Sequence, residues 1–184
     1  MYKTSDDARF VRNRAVLQRA FIELVKEKRS AKISVKELTT RANVNRMTFY
    51  SHYDEVNDVL LEIVDGMTEE ILAGQADRSA FDIDSLLEDS NRVMESEKEF
   101  FRVAAQTDDL GLFRNRFRAA FKRIFAEELK RTSNLSGARL DLAASAIASG
   151  VSYAYFDWLC GAFGDMSQEE LASYLRHYVE VLAS

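Results

Sequence analysis

The sequence predicts an all-α protein, and three observations favour that fold class. Proline is absent and glycine occurs only seven times in 184 residues, whereas an average soluble chain of this length carries about nine prolines at ~5% usage. Because both residues mark tight turns, their scarcity argues against a sandwich or a barrel. Hydrophobic residues make up 47% of the chain and charged residues 30%, and the hydrophobic residues recur at helical spacing along most of it.

The composition also excludes several classes of protein. No stretch approaches the ~18 consecutive apolar residues of a membrane span. The first ten residues, MYKTSDDARF, lack the apolar segment of a secretory signal. The single cysteine, Cys160, excludes an internal disulfide and suits a reducing compartment. We therefore expect a cytoplasmic protein that has no membrane partner.

Charge is divided unevenly along the chain. Residues 1–53 contain twelve Lys and Arg against five Asp and Glu (+7), whereas residues 54–184 contain thirteen against twenty-five (−12). A basic first quarter on an acidic body can direct one face towards a polyanion, either a nucleic acid or an anionic membrane. Charge alone does not distinguish these two partners, whereas a DNA-binding motif would.

The apolar periodicity predicts about nine helices in two units. Residues 1–53 form a three-helix, helix-turn-helix unit, residues 54–184 form a helical body, and the helix over 54–74 links them. The segment from Gly74 to Asp82 is the best linker candidate, and Ser136 and Ser167 are expected to cap the last two helices. The predicted bounds, in chain order, are 9–28, 34–42, 45–51, 54–74, 83–95, 97–106, 109–132, 136–163 and 167–183.

Local signals set the helix ends in the N-terminal unit. Ser34 and Glu37 have the spacing of a capping box. Asn43 falls where a tight turn needs a positive φ, which asparagine tolerates best after glycine. Asn45 and Asp54 are expected to cap the third and fourth helices. The first helix carries one apolar stripe, formed by Leu17, Ala20, Phe21, Leu24 and Val25.

A long helix followed by two short ones with a three-residue turn matches a helix-turn-helix. The last helix has to enter the major groove of DNA, so its outward side chains must be small, polar or basic. Arg46 can bind guanine bidentately or a phosphate, and Phe49 and Tyr53 are expected to anchor the helix on its inner side. An amphipathic helix over a core, with a solvated outer face, is the alternative interpretation. The expected DNA-binding residues are Ser34, Lys36, Asn45, Arg46, Met47, Thr48, Tyr50, Ser51 and His52.

Residues 14–64 resemble the N-terminal DNA-binding domain of TetR-family transcriptional regulators. The matching stretch is residues 33–53, ISVKELTTRANVNRMTFYSHY. It is similar to the family's capped helix, Ala-Gly-Val turn and Ser-Lys-Gly-Thr-Leu-Tyr-x-His-Phe recognition helix. The resemblance implies that residues 75–135 build an effector-binding core. Residues 150–178 are similar to the last two helices of one subgroup, which implies that they form a dimer interface.

Three departures from the family pattern affect the expected DNA contacts. Asn43 replaces the usual glycine of the turn, and Met47 replaces a small residue, so that an apolar side chain either touches a thymine methyl group or crowds the groove. The family often carries a phosphate-facing lysine at the start of its fourth helix. Here Asp54 and Glu55 stand in that region, which removes one favourable contact with DNA.

Aromatic residues are dense in the predicted body. Phenylalanine recurs every four residues from Phe113 to Phe125, interleaved with five Arg and Lys. For the charges, a solvated face is favoured over a second anion-binding surface. For the rings, we expect an apolar pocket for a small apolar or aromatic effector, with a filled core as the alternative. The expected pocket residues are Phe101, Phe117, Phe121, Tyr155 and Trp158.

The last two predicted helices indicate self-association. The segment from Leu140 to Val151 is apolar or small on nearly all sides, so it is buried on more than one side. We expect one of those sides to meet a second copy of the chain, the alternative being the central helix of a monomeric bundle. The expected interface residues are Ile147, Val151, Leu171 and Leu175.

No catalytic or metal-binding constellation is recognisable. Two histidines, His52 and His177, and one cysteine are too few and too scattered for a metal site, and no phosphate-binding glycine loop occurs. No cofactor and no catalytic residue are expected. The sequence predicts a homodimeric, ligand-responsive regulator, a repressor that binds a palindromic operator in duplex DNA. The alternatives are a helical interaction module that has lost DNA binding and a small helical enzyme.

Overall fold

The computed structural model describes residues 4–28, 32–76, 83–95, 97–106 and 111–183. These residues form nine helices and no strand, as the fold class predicts. The helices are α1 (Thr4–Lys28), α2 (Val35–Arg41), α3 (Arg46–Tyr50), α4 (Val56–Ala76), α5 (Ile83–Glu95), α6 (Lys98–Gln106), α7 (Gly111–Thr132), α8 (Gly137–Leu159) and α9 (Gln168–Ala183). Most of the predicted linker, residues 77–82, lies outside the described residues.

Two predicted helix ends are wrong by several residues. Helix α1 begins at Thr4, five residues before the predicted start. Helix α8 ends at Leu159 and not at residue 163, because Gly161, directly after the C-cap Cys160, adopts a φ of 79° that ends the helix.

The capping predictions hold at three helix starts and fail at two. Ser34 and Glu37 form a complete capping box at α2, Asn45 caps α3, and the hydroxyl of Ser167 accepts the Glu170 amide at 3.1 Å before α9. Ser136 lies at the expected position before α8 but its side chain makes no capping hydrogen bond. The predicted cap of α4 by Asp54 is wrong: α4 begins at Val56, and the hydrogen bonds at its start run from the amides of Asp54 and Glu55 to the Asp58 carboxylate.

The N-terminal unit packs around residues that the apolar stripe of α1 predicted. Leu17 and Phe21 of α1, Leu38 of α2 and Phe49 of α3 are each at most 1% exposed. Tyr53 is 6% exposed, and its hydroxyl donates to Glu62 of α4. The end of the N-terminal unit is therefore held by α4 as well as by α1.

The body is built around an α7–α8 pair. Rings of α7 meet Phe156 of α8, with centroids of Phe113 and Phe117 each 5.2 Å from that ring. Helix α9 crosses α8 where a glycine, Gly150, lets the Tyr178 ring approach; a Cβ at this position would clash with the tyrosine hydroxyl. No described helix is long and apolar enough to cross a membrane.

The two predicted units share one continuous apolar core. Phe21 of α1 meets Phe100 of α6 edge-on with ring centroids 6.3 Å apart, and Lys26 pairs with Glu97 across the same boundary. The core therefore continues across the predicted division at residue 53, and a domain boundary at that residue stays a prediction.

Candidate nucleic-acid interface

The turn between α2 and α3 has the geometry that the sequence predicts. Asn43 adopts φ of 52° and is the one non-glycine residue with a positive φ in the described part of the chain. The amides of Asn43 and Val44 donate to the carbonyls of Thr40 and Thr39 at 3.2 and 3.0 Å. Since all these backbone groups are paired, the turn holds α3 at a fixed angle to α2.

The start of α3 uses side chains that were expected to reach DNA. The Oδ1 atom of Asn45 accepts the Thr48 amide at 2.7 Å, and the Ser51 hydroxyl donates to the Thr48 carbonyl at 2.7 Å. The NH₂ group of Asn45 is therefore free to donate to a base or a phosphate, whereas one of the two lone pairs of its Oδ1 atom is already used. Thr48 itself is half-buried.

Three side chains form the outward face of α3. Met47 is 79% exposed and Tyr50 55% exposed, and Arg46 is exposed beside them. Phe49 on the opposite side is fully buried, so the predicted inner anchor is confirmed. The outward face thus offers a guanidinium, a thioether chain and a phenol, all directed away from the core.

His52 lies closer to α1 than the sequence indicates. Its ring packs against Phe10 with centroids 4.0 Å apart, it is half-buried, and its Nδ1 atom is buried without a hydrogen-bond partner. Burial lowers the pKa of His52 below its ordinary value, and the nearby Arg14 guanidinium lowers it further. The imidazole is therefore neutral at pH 7 and is a weaker phosphate ligand than a charged one.

The start of α2 is exposed, but the Glu37 carboxylate already accepts hydrogen bonds there. The Ser34 amide donates to Glu37 at 2.9 Å, and Lys28 donates to the same carboxylate at 2.8 Å. The Lys28 and Ser34 hydrogen bonds lower the pKa of Glu37 to about 2. Of the two predicted contacts here, Lys36 is exposed and has its charge available, whereas the Ser34 hydroxyl is engaged with Glu37.

A carboxylate also closes the start of α4. Asp58 accepts the amides of Asp54 and Glu55 at 2.9 and 2.8 Å. These amides would otherwise offer positive partial charge to a phosphate. The Asp58 carboxylate therefore occupies two backbone amides at the start of α4.

The predicted pocket residues lie in the core of the body. Phe101, Phe117, Phe121 and Tyr155 are each at most 2% exposed, and Trp158 is half-buried. The rings of Phe117 and Phe121 are 5.3 Å apart and touch neighbouring aromatic rings, so these rings pack on one another.

Buried polar groups accompany this aromatic core. The Tyr155 hydroxyl donates to Asn91 Oδ1, and burial raises the pKa of Tyr155 beyond its ordinary range. The Nδ2 atom of Asn91 and the Oγ atom of Ser152 are buried without partners. Ser152 and Tyr155 are three residues apart on α8, so they share a helix face.

The predicted interface residues are buried inside the protomer. Ile147 and Val151 are 0% exposed, and Leu171 and Leu175 are 3% and 5% exposed, so the placement of these four side chains at a subunit surface is wrong. The first two pack in the α8 core, and the other two join α9 to α8. The outward apolar side chains of this region are Leu142, Tyr153, Phe163, Tyr174, Tyr178, Val181 and Leu182.

The sequence interpretation missed the first turns of α1. Phe10, beside His52, is 42% exposed, and Arg9 and Arg12 are exposed next to it. The signal was available: Phe10 continues the Leu17–Phe21 stripe seven residues towards the N-terminus. Elsewhere in the described part of the chain, no group of three His, Cys, Asp or Glu side chains is placed to hold a metal ion.

The arrangement of the nine helices in the described residues is the fold of TetR-family transcriptional regulators. Three solved structures share it. A TetR transcriptional regulator from Streptococcus agalactiae 2603V is 20% identical, with 95% of this chain and 97% of that chain covered and a TM-score of 0.67. A protein from Syntrophomonas wolfei assigned to the TetR family is 13% identical over 94% and 95% of the chains, with a TM-score of 0.69. The dihydroxyacetone kinase operon activator DhaS is 15% identical over 92% and 94%, with a TM-score of 0.64.

The sequence comparisons match a smaller share of the chain than the structural comparisons do. No protein-family model matches the chain. An uncharacterized HTH-type transcriptional regulator from Bacillus subtilis strain 168, YxbF, is 36% identical over 67 residues, which are 36% of this chain and 18% of that protein. The structural likeness therefore confirms the expected fold, and the function of this chain is argued from its own residues.

Proposed function

We propose that this protein is a ligand-responsive transcriptional regulator that binds a palindromic operator as a homodimer. The observation that carries the proposal is the outward face of α3, where Arg46, Met47 and Tyr50 are exposed while Phe49 holds the helix from behind. A short helix that presents such side chains on a rigid turn suits the major groove. The shared fold with transcriptional regulators supports the same function.

Homodimerisation is supported by the outward apolar surface of α8 and α9. Tyr174 is 69% exposed and Leu142 is 70% exposed. An open groove of about 430 Å³ between the two helices is lined by apolar and aromatic side chains, among them Phe163 and Tyr178. A patch of this kind on a soluble chain marks an interface, and a two-fold axis at this patch would give a four-helix bundle.

The response to a small molecule is supported by the aromatic core of the body. Asn91 and Ser152 each bury a polar atom without a partner, which costs about 1–3 kcal/mol per group unless a partner is supplied. A neutral apolar or aromatic effector with a hydrogen-bonding group would satisfy them, with Tyr155 and Trp158 beside it. Its effect on DNA affinity would follow from different affinities for two conformations.

Repression is the expected direction of control, because a dimer on an operator blocks access to the DNA. One protein with this fold, DhaS, is named an operon activator. A promoter fused to a reporter, with and without the protein, measures the direction: lower expression in its presence supports repression, and higher expression overturns it.

Fluorescence anisotropy with labelled duplex DNA tests the DNA-binding proposal. We expect binding at about 50 mM salt that weakens steeply as salt rises, because lysine and arginine contacts release counterions. Arg46→Ala should lose about 1–3 kcal/mol of affinity if the side chain binds a base. Arg139→Ala, an exposed arginine at the start of α8, is the matched control and should bind as the parent does.

The same measurement separates the second candidate, an interaction module that has lost DNA binding. The observation that favours this candidate is the closure of α4 by Asp58, whose carboxylate accepts two backbone amides at 2.9 and 2.8 Å. If the parent and Arg46→Ala both fail to bind every duplex at low salt, the regulator proposal is wrong and the interaction module is favoured.

The effector proposal has its own reporter in Trp158. Its indole donates to the Met166 carbonyl at 2.8 Å, and its ring is 5.9 Å from the Tyr155 ring. A panel of neutral aromatic alcohols and ketones should change its emission and release labelled DNA over the same concentration range. If none of them changes either signal while the protein binds DNA, the effector site is wrongly placed.

A further inference from the structure

We propose that the first turns of α1 are a second DNA contact, in which Arg9 and Arg12 bind backbone phosphates beside the base pairs that α3 faces. The proposal rests on the DNA-binding function above and names a contact surface that the helix-turn-helix pattern does not contain. The partner is the sugar-phosphate backbone, so the contact adds affinity without reading sequence.

The position of α1 relative to the recognition helix is the first argument. His52 comes two residues after the end of α3, and its ring lies 4.0 Å from the Phe10 ring, centroid to centroid. Arg9 and Arg12 flank Phe10 and are exposed. The contact between these two rings therefore places two cations at the end of the recognition helix.

The availability of the two charges is the second argument. Several cations of the N-terminal unit are paired within the chain: Arg14 pairs with Glu62, Lys28 with Glu37, and Arg41 with Glu27. Arg9 and Arg12 form no ion pair with any described carboxylate. Free guanidinium groups beside a DNA-facing helix match phosphate geometry, since the planar fork donates two parallel hydrogen bonds.

The spacing of the two arginines is the third argument. Residues three apart on a helix are surface neighbours, about 5–6 Å apart at Cβ, so Arg9 and Arg12 can contact one stretch of a single strand. The contact between the Phe10 and His52 rings holds the backbone of these first turns against the end of α3, so binding has to order only the two arginine side chains.

The test compares two variants of the full chain. In Arg9→Ala/Arg12→Ala, a bound dimer loses four phosphate contacts, two from each protomer. The slope of log K against log salt should therefore fall by about 3.6, because each lost contact removes about 0.9. That change corresponds to roughly 4,000-fold weaker binding at 0.1 M salt. Arg19→Ala is the matched control: it is exposed on the same helix but lies seven residues beyond Arg12, about 10 Å further along the axis.

Each outcome decides the proposal. A lower slope in the double variant, an unchanged slope in Arg19→Ala, and an unchanged preferred sequence support it. Arg9→Lys/Arg12→Lys should restore the slope, because the charge is retained. An unchanged slope in the double variant, or an equal loss in Arg19→Ala, overturns the proposal while DNA binding stands. Failure of the parent to bind any duplex overturns the proposed function itself.

Discussion

The side chains of the recognition helix divide into those that hold the helix and those that are free. The side-chain oxygen atoms of Asn45 and Ser51 are hydrogen-bonded to the backbone of α3, and the His52 ring packs against Phe10. Residue types that donate to DNA also cap short helices, so the sequence could not separate the two roles. Arg46, Met47 and Tyr50 remain fully outward, and they carry the predictions on base readout.

Met47 is expected to read a thymine methyl group. Its side chain is 79% exposed, the largest exposure among the large hydrophobic residues of the described chain, and the C5-methyl is the apolar mark of thymine in the major groove. Replacing the contacted thymine by deoxyuridine should weaken binding about fourfold, since burial of one methyl-sized group contributes ~0.8 kcal/mol. Anisotropy with duplexes carrying one deoxyuridine at each thymine in turn measures this.

Met47→Ala provides the control for that substitution. The variant should bind thymine and deoxyuridine duplexes equally at the position where the parent discriminates. If the parent is insensitive to deoxyuridine at every position, Met47 does not read a methyl group.

His52 should make stability depend on pH. Its pKa is lowered in the folded state, so the unfolded chain binds a proton more readily between the lowered value and the ordinary value of 6.5. The contribution of His52 to the free energy of unfolding is therefore complete above that pH window and is lost as the pH falls through it. Thermal unfolding from pH 7.5 to 5.5 should show a larger decrease for the parent than for His52→Gln, and equal decreases would contradict the burial of the imidazole.

At the scale of helices, capping residues predicted most of the starts and glycines decided an end. Ser34 and Asn45 satisfy amides of the first turn in the way their spacing predicts. The end of α8 was placed too late because apolar residues continue to Phe163, whereas Gly161 and Gly164 reverse the sign of φ. Periodicity locates an apolar stripe, and backbone conformation decides where the helix stops.

The orientation of α8 and α9 was the part that periodicity could not predict. Leu171 and Leu175 share a stripe with Tyr174 and Tyr178, but the leucines are buried and the tyrosines are exposed. A broad stripe can face its own protomer, a second subunit or both, and only the packing of α9 against α8 separates them. The residues expected at the interface were therefore those of the core beneath it.

Two glycines of α4 should respond in opposite ways to alanine. A Cβ at Gly66 would meet nothing within 4 Å, so Gly66→Ala should stabilise the protein by up to ~1 kcal/mol through helix propensity. A Cβ at Gly74 would lie 2.7 Å from the Asp89 carboxylate, which is 4% exposed and accepts Gln75 at 2.7 Å. Gly74→Ala should therefore cost ~1–3 kcal/mol.

Urea unfolding of the parent and both alanine variants measures these changes. Because both substitutions lie in one helix, a general effect of alanine on α4 would shift them in the same direction. Stabilisation by Gly74→Ala would contradict the close approach of α4 and α5 at this point.

At the scale of the whole molecule, the N-terminal unit contacts the body directly at α6, and α7 holds α4, the helix that links the two. Phe21 meets Phe100 edge-on between α1 and α6, and Arg116 of α7 donates two hydrogen bonds of 2.6 Å to Asp65 of α4. A change in the packing of the body would therefore reach both α1 and α4. In a dimer, such a change would alter the separation of the two recognition helices.

The dimer proposal predicts different effects of a charge at two apolar residues. Tyr174→Glu places a carboxylate on the outward surface of α9, so it should give a folded monomer. Ile147→Glu buries an unpaired charge at a 0% exposed position, so it should unfold the protein at a cost of several kcal/mol. Light scattering and circular dichroism separate these outcomes, and a parent that is monomeric at micromolar concentration would contradict the proposal.

Selection of duplexes from a random pool by the parent protein, followed by sequencing, tests the central claim most directly. Two recognition helices related by a two-fold axis require a palindrome whose half-sites lie about one or more helical turns apart. We expect enrichment of such a palindrome, and loss of enrichment with Arg46→Ala. A pool that shows no enriched sequence, or only single half-sites without a two-fold relation, would contradict a dimeric DNA-binding regulator.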